Sequence, residues 1–270
     1  MNHAVNMPDH VPPRPMKRIL ILGGTADARQ LAGKLALRGE VTLSLAGRTE
    51  SPVAQGVPVR TGGFGGAKGL AAYLKDHRID LLVDATHPYA AQISANATEA
   101  ARLAGVRAIA LRRPAWERVP GDRWTLVEDA AEAAELLGGA PRKVFLALGR
   151  QELAAFEDAP QHSYLVRSVD PVEPPLGVPH ATYILARGPF SEDDDRAVLE
   201  AHGIDAVVAK NSGGPATYSK IAAARVLGVE VFLIRRPPLP DLPFGTDVED
   251  VLQLADHVLA SEWPDEKRGV

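Results

Sequence analysis

Apolar runs of four to seven residues alternate along this chain with longer stretches in which apolar positions recur every three to four residues. That alternation is the pattern of buried parallel strands joined by amphipathic helical crossovers. In the first half it predicts strands at 18–22, 41–46, 57–60, 79–85 and 106–111, with helices at 27–38, 67–77 and 89–104 between them. The last helix is alanine-rich with few breakers, which favours it further.

The second half repeats the scheme residue by residue. Residues 100–114, AARLAGVRAIALRRP, match residues 223–237, AARVLGVEVFLIRRP, at eight of fifteen positions, where chance at ordinary composition gives roughly one. Upstream, Leu74, His77, Ile79, Asp80 and Val83 align with Leu199, His202, Ile204, Asp205 and Val208, and Gly62 and Phe64 align with Gly188 and Phe190. The expected fold is therefore α/β: two Rossmann-like halves with parallel sheets, related by internal duplication, with a ligand cleft between them. The halves are drawn at 17–120 and 121–262, with tails at 1–16 and 263–270. A strand and helix within 124–138 belong to either half, residues 237–245 with four prolines read as a loop, and a last helix runs over 247–261. Terminal elements are free to cross between the halves.

Length and composition narrow the class. A chain of 270 residues is long enough for two domains, each with its own core. Its apolar runs are too short to cross a bilayer. A net charge of -4 argues against a nucleic-acid binder, which carries a basic face. The absence of cysteine removes disulfides, thiolate metal sites and cysteine nucleophiles, and no ligand spacing suggests a metal. Residues 1–16 hold four prolines and no apolar core segment, so they are not a secretory signal, and a cytoplasmic protein is expected.

In open parallel sheets ligands bind beyond the carboxyl ends of the strands. The loops there are 23–25, 46–49, 62–66 and 84–89 in the first half, and 149–150, 167–168, 187–190 and 210–214 in the second. Gly23, Gly24 and Thr25 follow the first strand and open a helix, where backbone N–H groups can approach a pyrophosphate. Thr25 and Ala28 depart from the usual glycine fingerprint, so read alone the loop suits a dinucleotide or a plain strand-to-helix turn. Gly47 and Arg48 end the second strand where an NAD site places an acid, and an arginine there accepts a 2′-phosphate or is a solvated surface residue, with the acid Glu50 two residues on. Four glycines around Phe64 (Gly62, Gly63, Gly65 and Gly66) let backbone approach a flat or charged ligand. Lys210, Asn211, Ser212 and Gly213 have the composition of an anion-binding nest. Arg150, Arg167, Arg187 and Lys210 sit at strand ends of the second half, where they suit carboxylates or merely cap surface elements. A short-chain dehydrogenase is disfavoured, because Tyr73 with Lys75 and Tyr218 with Lys220 stand two apart on different helix faces. The metalloprotease, P-loop and hydrolase signatures are missing.

Taken together, ILGGTADAR at 21–29, SLAGR at 44–48, GGFGG at 62–66, DATHPYA at 84–90 and KNSGG at 210–214 resemble the precorrin-6A reductase family over about residues 17–260. Asp27 stands where many relatives carry glutamate. The resemblance implies reduction of one double bond in a polycarboxylate tetrapyrrole on the route to cobalamin, with NADPH as hydride donor. On it, Gly23, Gly24, Thr25, Gly47, Arg48, Gly63, Gly65, Gly66, Ser212 and Gly213 hold the cofactor. Arg150, Arg167, Arg187 and Lys210 hold the substrate, and Lys210, His87 and Tyr89 are the candidate catalytic groups. Hand-over contacts with neighbouring pathway enzymes are a further expectation. A cobalt-containing substrate, or a non-catalytic NADP sensor, are the alternatives the residues leave open.

Overall fold

The computed structural model describes residues 16–47 and 54–260. The first lobe contains β1 (Lys17–Leu22), α1 (Ala26–Leu35), β2 (Gly39–Leu45), β3 (Val59–Thr61), α2 (Gly66–Asp76), β4 (Leu81–Asp84), α3 (Ala91–Ala104) and β5 (Arg107–Leu111). After them come β6 (Trp124–Val127), α4 (Ala130–Leu136), β7 (Lys143–Ala147), the short α5 (Arg150–Leu153), β8 (Ser163–Ser168) and β9 (Ala181–Leu185). The chain ends with α6 (Glu192–Ala201), β10 (Ala206–Lys210), α7 (Ser219–Leu227), β11 (Glu230–Ile234), β12 (Phe244–Gly245) and α8 (Val248–Ala260). All pairings are parallel, as the unbroken apolar runs require: Ile19, Leu20 and Ile21 are fully buried because helices cover both faces of the sheet.

Helix ends follow local chemistry. Thr25 caps α1 by accepting from the Ala28 amide at 3.0 Å, and Asp129 caps α4 by accepting from Glu132 at 2.9 Å. The glycine shared by the two copies of the repeat closes α3 and α7. Gly105 and Gly228 are both left-handed, with φ of 68° and 67°, where a side chain is strained.

The strand order is β12-β5-β4-β1-β2-β3 in one sheet and β6-β11-β10-β7-β8-β9 in the other. Each is the same doubly wound order with its sixth strand borrowed. β6 and α4 follow β5 in the chain yet β6 pairs with β11; β12 and α8 follow β11 yet β12 pairs with β5. The terminal elements thus cross reciprocally, and Val248, Val251, Leu252 and Ala255 of α8 complete the first lobe's core. Residues 237–245, read above as a loop, contain β12. The proline-rich stretch pairs through acceptors: the carbonyls of Pro243 and Gly245 receive the amides of Ala110 and Arg112, each at 2.9 Å.

Candidate functional site

At the carboxyl ends of β1, β2, β3 and β4 lies a pocket of about 180 Å³, lined by Gly23, Ser44, Ala46, the glycine loop 62–66, Thr86 and Asn96. Two features make it receptive to an anion. The residue before α2 is Gly65, left-handed and without a side-chain cap, and no acid occupies the first turn, so the first amides of this helix are left for a ligand. The loop itself is tightly seated: a Cβ on Gly69, one turn into α2, would stand 1.7 Å from the Phe64 carbonyl. Arg60, not singled out from sequence, braces the same loop by donating to the carbonyls of Gly62 and Gly63 and lying 3.7 Å from the centre of the Phe64 ring. Its signal was its place on β3 two residues before the first loop glycine.

Thr86 is held by a buried network that also escaped the sequence reading. Asp84, 1% exposed at the end of β4, accepts from the Thr86 hydroxyl at 2.6 Å and from Arg112 at 2.7 Å. Gly23 lines the pocket, while Gly24 and Thr25 form the turn beside it, with the Thr25 hydroxyl donating to the Ala85 carbonyl at 3.2 Å. Gly47 is left-handed, with φ of 75°. Arg48 lies outside the described residues.

The strand registers show what stands in the second lobe where the first has its pocket. They superpose Leu20 on Phe145 and Ser44 on Arg167. The helix starts superpose Gly69 on Asp195, and the sequence repeat superposes Asn96 on Ser219 and Ala97 on Lys220. In place of Ser44 and Asn96, which line the pocket, and of Gly69 and Ala97, the second lobe carries Arg167, Ser219, Asp195 and Lys220 as a buried polar network. Arg167, 8% exposed, pairs with Asp195, which also accepts from the Ser219 hydroxyl. Burial lowers the Lys220 ammonium to about 8, with Arg167 adding to the effect and Asp195 opposing it. Arg167 therefore sits inside its lobe instead of on the cleft surface, which removes the geometric basis for its expected contact with substrate. Helix α6 is likewise closed to anions by a Ser191–Asp194 capping box and four acids in its first turn.

Between the lobes the two strand-four loops meet. The registers superpose His87 on Ser212, and these equivalent residues touch, Nε2 to Oγ at 3.2 Å. The Tyr89 amide donates to His87 Nδ1 at 3.3 Å, which leaves the imidazole proton on Nε2, donating to Ser212. Burial lowers the His87 pKa to about 3, reinforced by Arg113, Lys210, Arg236 and Lys220. A neutral ring with one nitrogen spent on the backbone is a positioning group, not an acid, which corrects the expectation placed on its proton. The Tyr89 hydroxyl, raised to about 12 by burial, donates to the Ile234 carbonyl and accepts from the Asn211 amide, so it is committed to holding the lobes together. Ser212 and Gly213 belong to this junction and not to the pocket: a Cβ on Gly213 would meet the Pro114 carbonyl at 2.1 Å. Asn211 and Trp116 exchange bonds at 2.8 and 3.0 Å, and Arg236 donates to the carbonyls of Asn211, Arg113 and Pro114.

Cations converge on this junction. Lys210, at the end of β10, is paired with Glu152 at 2.5 Å, and Arg113 is paired with Asp27 at 3.2 Å. Arg150 lies at the start of α5, where it donates to the Pro171 carbonyl at 3.4 Å, and Arg187 follows β9. The arrangement can hold a nucleotide in one lobe and present positive charge from the other across the junction. No helix among the described residues is long and apolar enough to cross a membrane.

The model of one protein family, described as precorrin-6x reductase CbiJ/CobK, matches residues 18–256. The chain is 56% identical to a precorrin-6A reductase of Sinorhizobium sp over 90% of its own length and 94% of the relative's. It is 29% identical to a cobalt-precorrin-6A reductase of Priestia megaterium over 90% and 98% of the two chains. A solved structure titled CobK precorrin-6A reductase superposes with a TM-score of 0.86 at 49% identity, covering 90% of this chain and 97% of that one.

Proposed function

The chain belongs to the precorrin-6x reductase CbiJ/CobK family and acts as an oxidoreductase in corrin-ring synthesis, and we propose that it reduces metal-free precorrin-6A with NADPH held in the first-lobe pocket. The observation that carries the cofactor reading is the glycine-lined pocket over the uncapped start of α2, at the ends of the strands where the sheet order reverses. Gly23, Gly63, Gly65 and Gly66 are the backbone contacts for the cofactor phosphates, with Gly24 and Thr25 shaping the turn, and Arg48 is the reader of the 2′-phosphate. When bound, the nicotinamide supplies a hydride to the macrocycle.

The protein's own work is then positioning and exclusion of water. The Asp84–Arg112 pair orients Thr86 in the pocket wall. The His87–Ser212 contact and the Tyr89 bonds hold the second lobe against the first. Lys210, Arg150 and Arg187 receive the carboxylates of the macrocycle, and Lys210 is the proton source nearest the junction by type. The metal-free substrate is favoured over its cobalt form because the relatives named for it are far more alike, 56% against 29% identical. A cytoplasmic setting, with hand-over to neighbouring pathway enzymes, completes the proposal.

The test is anaerobic incubation of the purified protein with metal-free precorrin-6A and either NADPH or NADH, following the visible spectrum as conjugation shortens. Turnover with NADPH is expected, with a preference over NADH of roughly 10- to 150-fold, the scale of one charge-assisted bond. Arg48→Ala should weaken NADPH binding by that order and leave NADH nearly untouched. Turnover of only the cobalt form, or equal loss for both cofactors in the variant, would overturn the corresponding assignment.

A further inference from the structure

At the carboxyl ends of two strands of the second lobe, a carboxylate of the protein itself holds a cation that faces the junction. Glu152, in α5 just after β7, and Lys210, the last residue of β10, stand at the ends of adjacent strands at the point where that sheet reverses order. Their 2.5 Å contact is partly shielded, with side chains 29% and 18% exposed. Gly149 lies close beside this carboxylate: a Cβ there would stand 2.7 Å from a Glu152 oxygen. Lys210 also lies 5.1 Å from the Tyr89 ring, so the pair faces the lobe junction.

The duplication provides a second instance. The registers that superpose Leu22 on Ala147 carry Asp27 onto Glu152. Asp27 too sits in the first turn after strand one, and it too is paired with a cation of the junction, Arg113. Each lobe therefore points one acid from the same place in its fold at a cation of the cleft. An acid with a purely local purpose would cap its own helix or bond within its own loop. Glu152 instead reaches a residue 58 positions away.

We propose that Glu152 is an internal stand-in for a substrate carboxylate, holding Lys210 in its binding geometry until the macrocycle's carboxylate displaces it. The proposal rests on the polycarboxylate reading of the substrate given above. Leaving Lys210 unpaired in a half-buried crevice is costly, and a cationic cleft without internal counterions would also hold any stray anion. The exchange keeps charge balanced, since one carboxylate leaves the ammonium as another arrives.

The experiment titrates precorrin-6A into protein loaded with NADP+, so that no reduction takes place. Glu152→Gln removes the competitor while keeping the shape, and the dissociation constant should fall about fivefold, the scale of a partly exposed ion pair. In Lys210→Met the same substitution should change nothing further, because the group competed for is gone. If Glu152→Gln does not fold, as judged by its melting curve and NADP+ affinity, Glu152→Asp retracts the carboxylate by one methylene and should shift affinity in the same direction. Unchanged or weakened binding in a folded variant overturns the proposal. Failure of the wild type to bind precorrin-6A would instead overturn the substrate reading.

Discussion

Gly69 shows how a single residue type is set by contact rather than by composition. Alanine inside a helix is ordinarily favoured over glycine by about 0.5–1 kcal/mol. Here the added methyl would sit 1.7 Å from the Phe64 carbonyl, and backbone on both sides has little room to yield. The contact outweighs the propensity, so Gly69→Ala should displace the glycine loop and raise the NADPH dissociation constant at least tenfold, about 1.4 kcal/mol. Fluorescence titration of the cofactor checks this. A variant that binds NADPH normally and melts higher would show that the loop can move aside. Sequence reasoning found the loop because four glycines around Phe64 are visible in one dimension. It missed Gly69 and Arg60, and it placed Asp84 in a strand-end loop without its bonds to Thr86 and Arg112, because these roles lie in what the residues touch.

At the scale of elements, the exchange of β6–α4 for β12–α8 decides which part of the chain stabilises which site. Helix α8 is distant in sequence from the first-lobe pocket, yet Leu252, 4% exposed, packs in a core of the same lobe with Ile19, Leu31 and Leu43. Leu252→Ala should cost about 2–5 kcal/mol, the range for emptying a buried leucine site. Because the loss falls on the lobe proposed to hold NADPH, added NADPH should recover part of the melting temperature through binding to the folded state. A melting curve that drops without any response to NADPH would place α8 outside the cooperative unit that forms the pocket. The helix itself was legible from its period and acidic first turn. Its partner sheet was not, since parallel pairing leaves no mark in the chain for strands as short as Phe244–Gly245.

Across the whole molecule, the state of His87 is set by groups from both halves. Its pKa is lowered to about 3 by burial first, then by Arg113, Lys210, Arg236 and Lys220, surroundings that exist only while the lobes are docked. In the unfolded chain the ring titrates at about 6.5. Between about pH 6.5 and 3 the unfolded state therefore binds the extra proton, and stability falls as pH falls through this window. At its steepest the slope is about 1.4 kcal/mol per pH unit for one proton. His87→Gln, which can still donate to Ser212, should lack this component. Denaturant melts of both proteins from pH 7 to 4 provide the comparison. Parallel curves would mean that His87 protonates readily in the folded state, and would restore it as a candidate acid.

The alternation of apolar runs and amphipathic stretches, the repeat ending in Arg-Arg-Pro and the strand-end loops were enough by themselves to determine two duplicated α/β halves and the glycine loops that line the first-lobe pocket. These features are local: each depends on the period of one segment or on a residue whose backbone freedom is its own property. Partnership was decided only by the tertiary structure. His87, Tyr89, Arg167 and Lys210 look alike in sequence as polar residues beside strand ends. Packing commits Tyr89 to two bonds across the junction, buries Arg167 against Asp195, holds His87 neutral among cations, and leaves Lys210 facing the cleft with Glu152. The reason is physical: burial and charge act through space, and residues 28 to 145 positions apart become neighbours only when the sheets close.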